Sequence, residues 1–235
     1  MVSIIGIFGT FSIVIVFGIC FALTLSSYLK NSNNTKIFFM IWTLSVSLIY
    51  LSWGLRVLFI DQFETNISIL YPFWACSYGF GALALIFLDF ATLNLTRIKK
   101  SIIIKSIRII IFISFIVVLL ILIIGFELKI TIFMDVNDLS IENPFIYIYF
   151  TVIILFYVFF PNAIFIKYLI ETPTKKDSTY KRIRIIELGI LLFSIGIALD
   201  GIRIPSNEGI LIVRIILMIG GLITMKGFLM KQSSD

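Results

Sequence analysis

Ionisable side chains inside apolar stretches are costly to bury and persist where they have a partner or a role. Here they form two groups. Near one end of the stretches lie Arg56, Asp200, Arg203 and Arg214, with Trp53, Trp74 and Tyr78 at similar depth. Guanidiniums walled by rings that stack on them and hydrogen-bond to them suit a small polar or anionic ligand. The simpler alternative is an interhelical Asp200 to Arg214 pair, with Arg56 and Arg203 snorkelling and the aromatics serving as interface anchors. The second group, Asp89, Glu187 and Lys226, lies near the opposite ends. Two acids and a base on three helices make a network that rearranges when the helices shift, as a cytoplasmic switch requires, or a static lock.

Composition removes much other chemistry. The chain has no histidine, which excludes histidine general bases, histidine-ligated zinc, bis-histidine haem and a phosphorelay histidine. Its two cysteines, Cys20 and Cys76, fall at different depths and read as free, small, apolar residues. No catalytic residue, metal site or cofactor is expected, and the protein is read as a non-enzyme.

The elements that must hold these residues are membrane helices. The 235 residues are 60% hydrophobic and 14% charged, with a mean hydropathy of +1.12. A helix crossing the hydrocarbon takes about 20 residues, and the apolar runs place spans at 4–27, 37–60, 69–95, 102–126, 144–169, 183–204 and 209–230. Isoleucine, valine and phenylalanine favour strands in water, but an open sheet leaves backbone groups unpaired in lipid, and these runs do not alternate as barrel strands do. The fold class is an all-α integral membrane protein, one seven-transmembrane-helix domain over 1–235. Met1-Val2-Ser3 carries no basic residue and no cleavage site follows, so the first span is expected to be retained rather than removed as a signal peptide.

Charge sets the orientation, because lysine and arginine stay cytoplasmic. One set of connections holds fifteen of the nineteen basic residues, while the other collects eight of the thirteen acids with only Arg56, Lys129, Arg203 and Arg214. The N-terminus is expected outside and the C-terminus in the cytoplasm, in a multi-pass cell-membrane protein. The basic rim faces anionic headgroups of the lipid bilayer; with no aromatic-interleaved basic surface outside the membrane, nucleic acid is not expected as a partner. Within this frame Arg214 stands five residues into span seven, about 7–8 Å below the boundary.

Local signals add detail. Pro144 suits the first turn of span five, and Pro161 inside it should kink the helix and free the Tyr157 carbonyl. Ser178 or Thr179 could cap helix six. The alternation through Lys129-Ile130-Thr131-Ile132-Phe133-Met134-Asp135 allows a short hairpin or lid. Gly54-Leu55-Arg56 and Gly201-Ile202-Arg203, each followed by an acid, are what an internal duplication of the kind found in small transporters would leave.

Two family resemblances bear on function. Seven helices, an outer N-terminus and Lys226 on the last helix give the layout of microbial rhodopsins. In that family an acid precedes the retinal lysine by four residues, where this chain has Leu222; the third span offers only Asp89, and the sixth lacks the family's aromatics. The similarity is topological. The stretch Phe38 to Arg97, with Trp53-Gly54-Leu55 and Leu88-Asp89-Phe90-Ala91-Thr92-Leu93, and the sequence Lys181-Arg182-Ile183-Arg184, resemble the seven-helix N-terminal sensor region of prokaryotic histidine kinases. This resemblance implies a ligand sensor whose output, with no kinase before Asp235, passes to a separate cytoplasmic signalling partner. The sequence is therefore read as a receptor-like membrane sensor with an outer-half pocket. A small-solute transporter, a structural subunit of a membrane complex and a retinal-binding protein are the alternatives.

The orientation has a direct check. In a background with Cys20 and Cys76 replaced by serine, Ser178→Cys should be shielded from an impermeant thiol reagent in intact cells and Asp138→Cys should react; the reverse pattern overturns the charge argument.

Overall fold

A computed structural model describes residues 4–60, 67–96, 102–127, 132–135, 138–141, 144–172, 178–201 and 207–230. Among them are seven helices: α1 (Ile4–Lys30), α2 (Asn34–Ile60), α3 (Ile67–Leu95), α4 (Ile102–Glu127), α5 (Pro144–Glu171), α6 (Ser178–Gly201) and α7 (Asn207–Leu229). Each expected span corresponds to one helix. Five of them, α1, α2, α3, α5 and α7, are long and apolar enough to cross a membrane. Two short strands, β1 (Ile132–Asp135) and β2 (Asp138–Ile141), pair antiparallel between α4 and α5, in register Ile132 to Ile141.

The helix ends follow from local chemistry. Asn33 Oδ1 accepts from the Thr35 amide at 2.9 Å and caps α2. α5 opens on Pro144, whose missing N–H would have been an orphan donor there anyway. α6 opens at Ser178. At the other terminus of two helices, basic side chains satisfy the last carbonyls: Lys36 Nζ donates to Ser27 O at 2.8 Å, and Arg182 donates to Gly227 O and Phe228 O at 3.2 and 3.1 Å.

Successive helices alternate in direction. α1 packs on α2 and α7, α2 on α3, α3 on α4 and α5, and α5 on α6, which returns to α7. Six helices thus close on themselves, with α4 held against α3. The core centres on Trp42 of α2, whose ring meets Phe17 of α1 edge-on and Phe193 of α6 edge-on, with Phe39 stacked on Phe228 of α7. The outward faces are apolar, including Ile109, Phe112, Ile113, Ile116, Leu120 and Ile123 on α4, the pattern of helices whose surroundings are as apolar as their interior.

Close approach of α6 and α7 depends on glycine. A Cβ at Gly189 would lie 2.4 Å from the Thr224 backbone nitrogen, one at Gly220 2.6 Å from the Phe193 nitrogen, and one at Gly227 2.9 Å from the Ile186 nitrogen. Gly196 faces Leu217 in the same seam. In each helix the two seam glycines stand two turns apart, so they share a face and let the backbones meet.

Pro161 lies within α5, which stays helical through it. The carbonyl that acquires side-chain partners is Val158 rather than Tyr157: Asn162 Nδ2 and Ser194 Oγ both donate to Val158 O at 2.9 Å, and Asn162 Nδ2 also donates to Ser194 Oγ at 2.8 Å. The proline turn thereby becomes a polar joint between α5 and α6.

Gly220→Ala should lower thermal stability in detergent by about 1–3 kcal/mol, since the added methyl meets backbone that cannot give way. Gly79, which faces open space, is the control: Gly79→Ala should unfold no earlier than the unmodified protein.

Candidate functional site

The buried charge in α7 is held from three other helices. Arg214 is the eighth residue of α7, about 10 Å along the axis from its start. Its Nη1 donates to Asp200 Oδ2 of α6 at 2.7 Å. Tyr50 of α2 donates its hydroxyl to the same oxygen at 3.2 Å. The guanidinium carbon lies 4.7 Å from the Tyr50 ring centre and 5.0 Å from that of Trp53, one turn further along α2. From α1, Gly9 closes the fourth side, where a Cβ would stand 3.2 Å from Arg214 Cγ.

The physical logic is charge neutralisation followed by desolvation. Arg214 keeps only 4% of its side chain exposed, whereas Asp200 keeps 34%. The acid at the end of α6 therefore lies at the edge of the cluster and the base behind it. Flat rings above a planar guanidinium contribute cation–π attraction that lysine could not match in the same geometry. Arg214 Nε is buried and has no hydrogen-bond partner, so one N–H of the fork remains unused.

Four of the seven expected ligand residues thus lie on or beside one helix face: Trp53, Asp200 and Arg214 in contact, and Arg56, almost completely buried, three residues beyond Trp53 on α2. Trp74 and Tyr78 belong elsewhere. They pack on each other at 4.6 Å, with Tyr71, Leu122 and Phe150, in a separate cluster of α3, α4 and α5. Equal depth placed them near Arg214 in the sequence, but α3 turns them toward α4 and α5. Arg203 lies outside the described residues, so of the second Gly-x-Arg only Gly201, the last residue of α6, is described. Tyr50 was not foreseen; its signal is a phenol in an apolar span, one turn from Trp53 on the same face.

The second group does not assemble as a network. Asp89 is fully buried and neither of its oxygens has a hydrogen-bond partner, while Lys226 is exposed. Glu187 is half-buried and has Arg184 of its own helix as its charged neighbour. The reason is angular: α3 packs on α2, α4 and α5, with α7 on the far side of α2 and α6. Among the described residues no group of three or more histidine, cysteine, aspartate or glutamate side chains could hold a metal. Cys20 and Cys76 are both free thiols.

The chain matches no protein-family model, no curated protein and no solved structure.

Arg214→Lys keeps the charge and loses the planar stack and the directed bond to Asp200. It should lower the unfolding temperature, by about 1–2 kcal/mol in free energy, while Trp74→Phe should leave the effect of the arginine change unaltered. A lysine variant as stable as the parent would mean that the rings contribute nothing.

Proposed function

We propose that this protein is a seven-pass membrane receptor-like module, N-terminus outside and C-terminus cytoplasmic, that responds without catalysis to a small anionic ligand at the Arg214 end. The observation that carries this reading is the unused Nε–H of a buried guanidinium whose only carboxylate partner among the described residues, Asp200, sits at the rim. An incoming carboxylate or similar anion can replace Asp200 with the net charge of the cluster unchanged, or add to it at the free side of the fork. Either event alters the contact by which α7 holds α6 and α2. The output then passes at the opposite end, where Lys181, Arg184 and Lys226 are exposed, to anionic headgroups and a separate cytoplasmic signalling partner.

The transporter alternative needs a site reachable from both ends, whereas Arg214 lies within three turns of one end of α7. That position supports the sensor.

The test is thermal unfolding of the purified chain with acetate, glutamate, sulfate or phosphate, at constant ionic strength. At least one of these anions should raise the unfolding temperature of the parent and fail to do so for Arg214→Gln. If none shifts it, or the shift survives in Arg214→Gln, the anion site is lost as a reading.

A further inference from the structure

Asp89 is the most isolated charge-bearing group in the described interior. It is 0% exposed, and both carboxylate oxygens are without a hydrogen-bond partner. One turn earlier on α3, Leu85 and Ile86 pack with Ile111 of α4 and with Tyr157 and Val158 of α5. Since α3 and α5 run in the same direction, one further turn brings the Pro161 and Asn162 stretch of α5 to the level of Asp89. Asn162 is also buried, and its two donor contacts leave Oδ1 with no partner. Tyr157, which packs with Leu85 and Ile86, donates its phenol to Ile111 O at 3.3 Å.

This level of the α3–α5 contact therefore presents three unpartnered oxygens, all of them acceptors while the carboxyl is ionised: Asp89 Oδ1 and Oδ2, and Asn162 Oδ1. Their shared deficiency is a hydrogen. The charged groups on the packed elements are few. On α2, Lys36 is engaged at the end of α1; on α5, Lys167 is exposed and paired with Glu171. On α4, Lys105 and Arg108 precede Ile111, Arg108 by one turn, and their side chains lie outside the described residues. An ionised carboxylate with neither ion pair nor hydrogen bond carries a desolvation penalty of several kcal/mol. A proton on either oxygen removes the charge and supplies the missing donor.

We propose that Asp89 is a proton-binding site at the α3–α5 contact, holding one proton while the helices are packed as observed and releasing it when they separate. Release breaks the carboxyl O–H bond, leaves the electron pair on the carboxylate, and passes the proton to water at the Lys226 end, which lies six residues along α3 or about 9 Å away. Proton concentration on that side then acts on helix packing. The site is independent of the Arg214 cluster.

Infrared spectroscopy of the full chain in lipid vesicles at about pH 7 tests this directly. The carbonyl band of a protonated buried carboxyl should be present, absent in Asp89→Asn, displaced in Asp89→Glu, and unchanged in Arg214→Gln. No such band in the parent at neutral pH would overturn the proposal. So would stabilisation by sodium over choline that Asp89→Asn abolishes, which would assign the oxygens to a metal cation, and so would the appearance of the band only when Arg108 is replaced by Gln, which would assign Arg108 as partner to an ionised Asp89.

Discussion

Polar groups in this bundle must find their partners inside it, and the arrangement of the helices follows from where those partners are. Hydroxyls turn back on their own helices, as Thr24 does to Cys20 O, Thr92 to Leu88 O and Thr224 to Gly220 O. Others reach across: Ser47 donates to Val14 O, Tyr71 to Leu122 O and Ser194 to Val158 O. One such demand is that of Arg214, and it recruits α2 and α6 by hydrogen bond and ring face, with α1 admitted by a glycine. One guanidinium thereby fixes the relative positions of four helices at one end. At the other end Arg182 and Lys36 have the corresponding task, satisfying the terminal carbonyls of α7 and α1.

Between the two ends, shape takes over from charge. When the surroundings are as apolar as the interior, burying isoleucine and leucine provides little drive, and helices associate through close contact and interlocking rings. The α6–α7 glycine seam and the Trp42 aromatic centre are these two devices. The two sides of the molecule use different devices, although α2 and α3 share its most extensive helix contact and Leu88 of α3 and Phe165 of α5 join the Trp42 core. The α1, α2, α6 and α7 group is bound by glycine contacts and a charge cluster, whereas the α3, α4 and α5 group is joined by aromatic packing and isolated hydrogen bonds. The proposed proton site lies in the second group and the proposed anion site in the first, so the two would act on different helix contacts.

Hydropathy along the chain was enough to locate all seven helices, because a run of some twenty apolar residues has few other uses, whereas alternation around Ile132 left a hairpin and a lid both open and did not mark the second strand. The scarcity of charge also made Arg214 and Asp200 legible as partners: few acids stand at that depth. Depth, however, carries no angle. Trp74, Tyr78 and Lys226 were each placed at the right height and assigned to the wrong neighbours, since nothing in so uniformly apolar a helix marks which side faces inward. Tyr50 and the glycine spacing were present in the sequence, but their meaning depends on which helix lies opposite. The joint at Asn162 was hidden for another reason: the proline predicted a freed Tyr157 carbonyl, whereas the side-chain donors converge on Val158.

The central claim is that Arg214 and Asp200 act as one unit joining α6, α7 and α2. A double-mutant cycle in lipid, comparing Arg214→Gln, Asp200→Asn and the pair by unfolding free energy, measures it. Coupling is predicted, with the double variant losing clearly less than the sum of the single losses, because each single change strands the group the other one removes. Strict additivity would contradict the account, for it would mean that the 2.7 Å contact contributes nothing to holding the helices together.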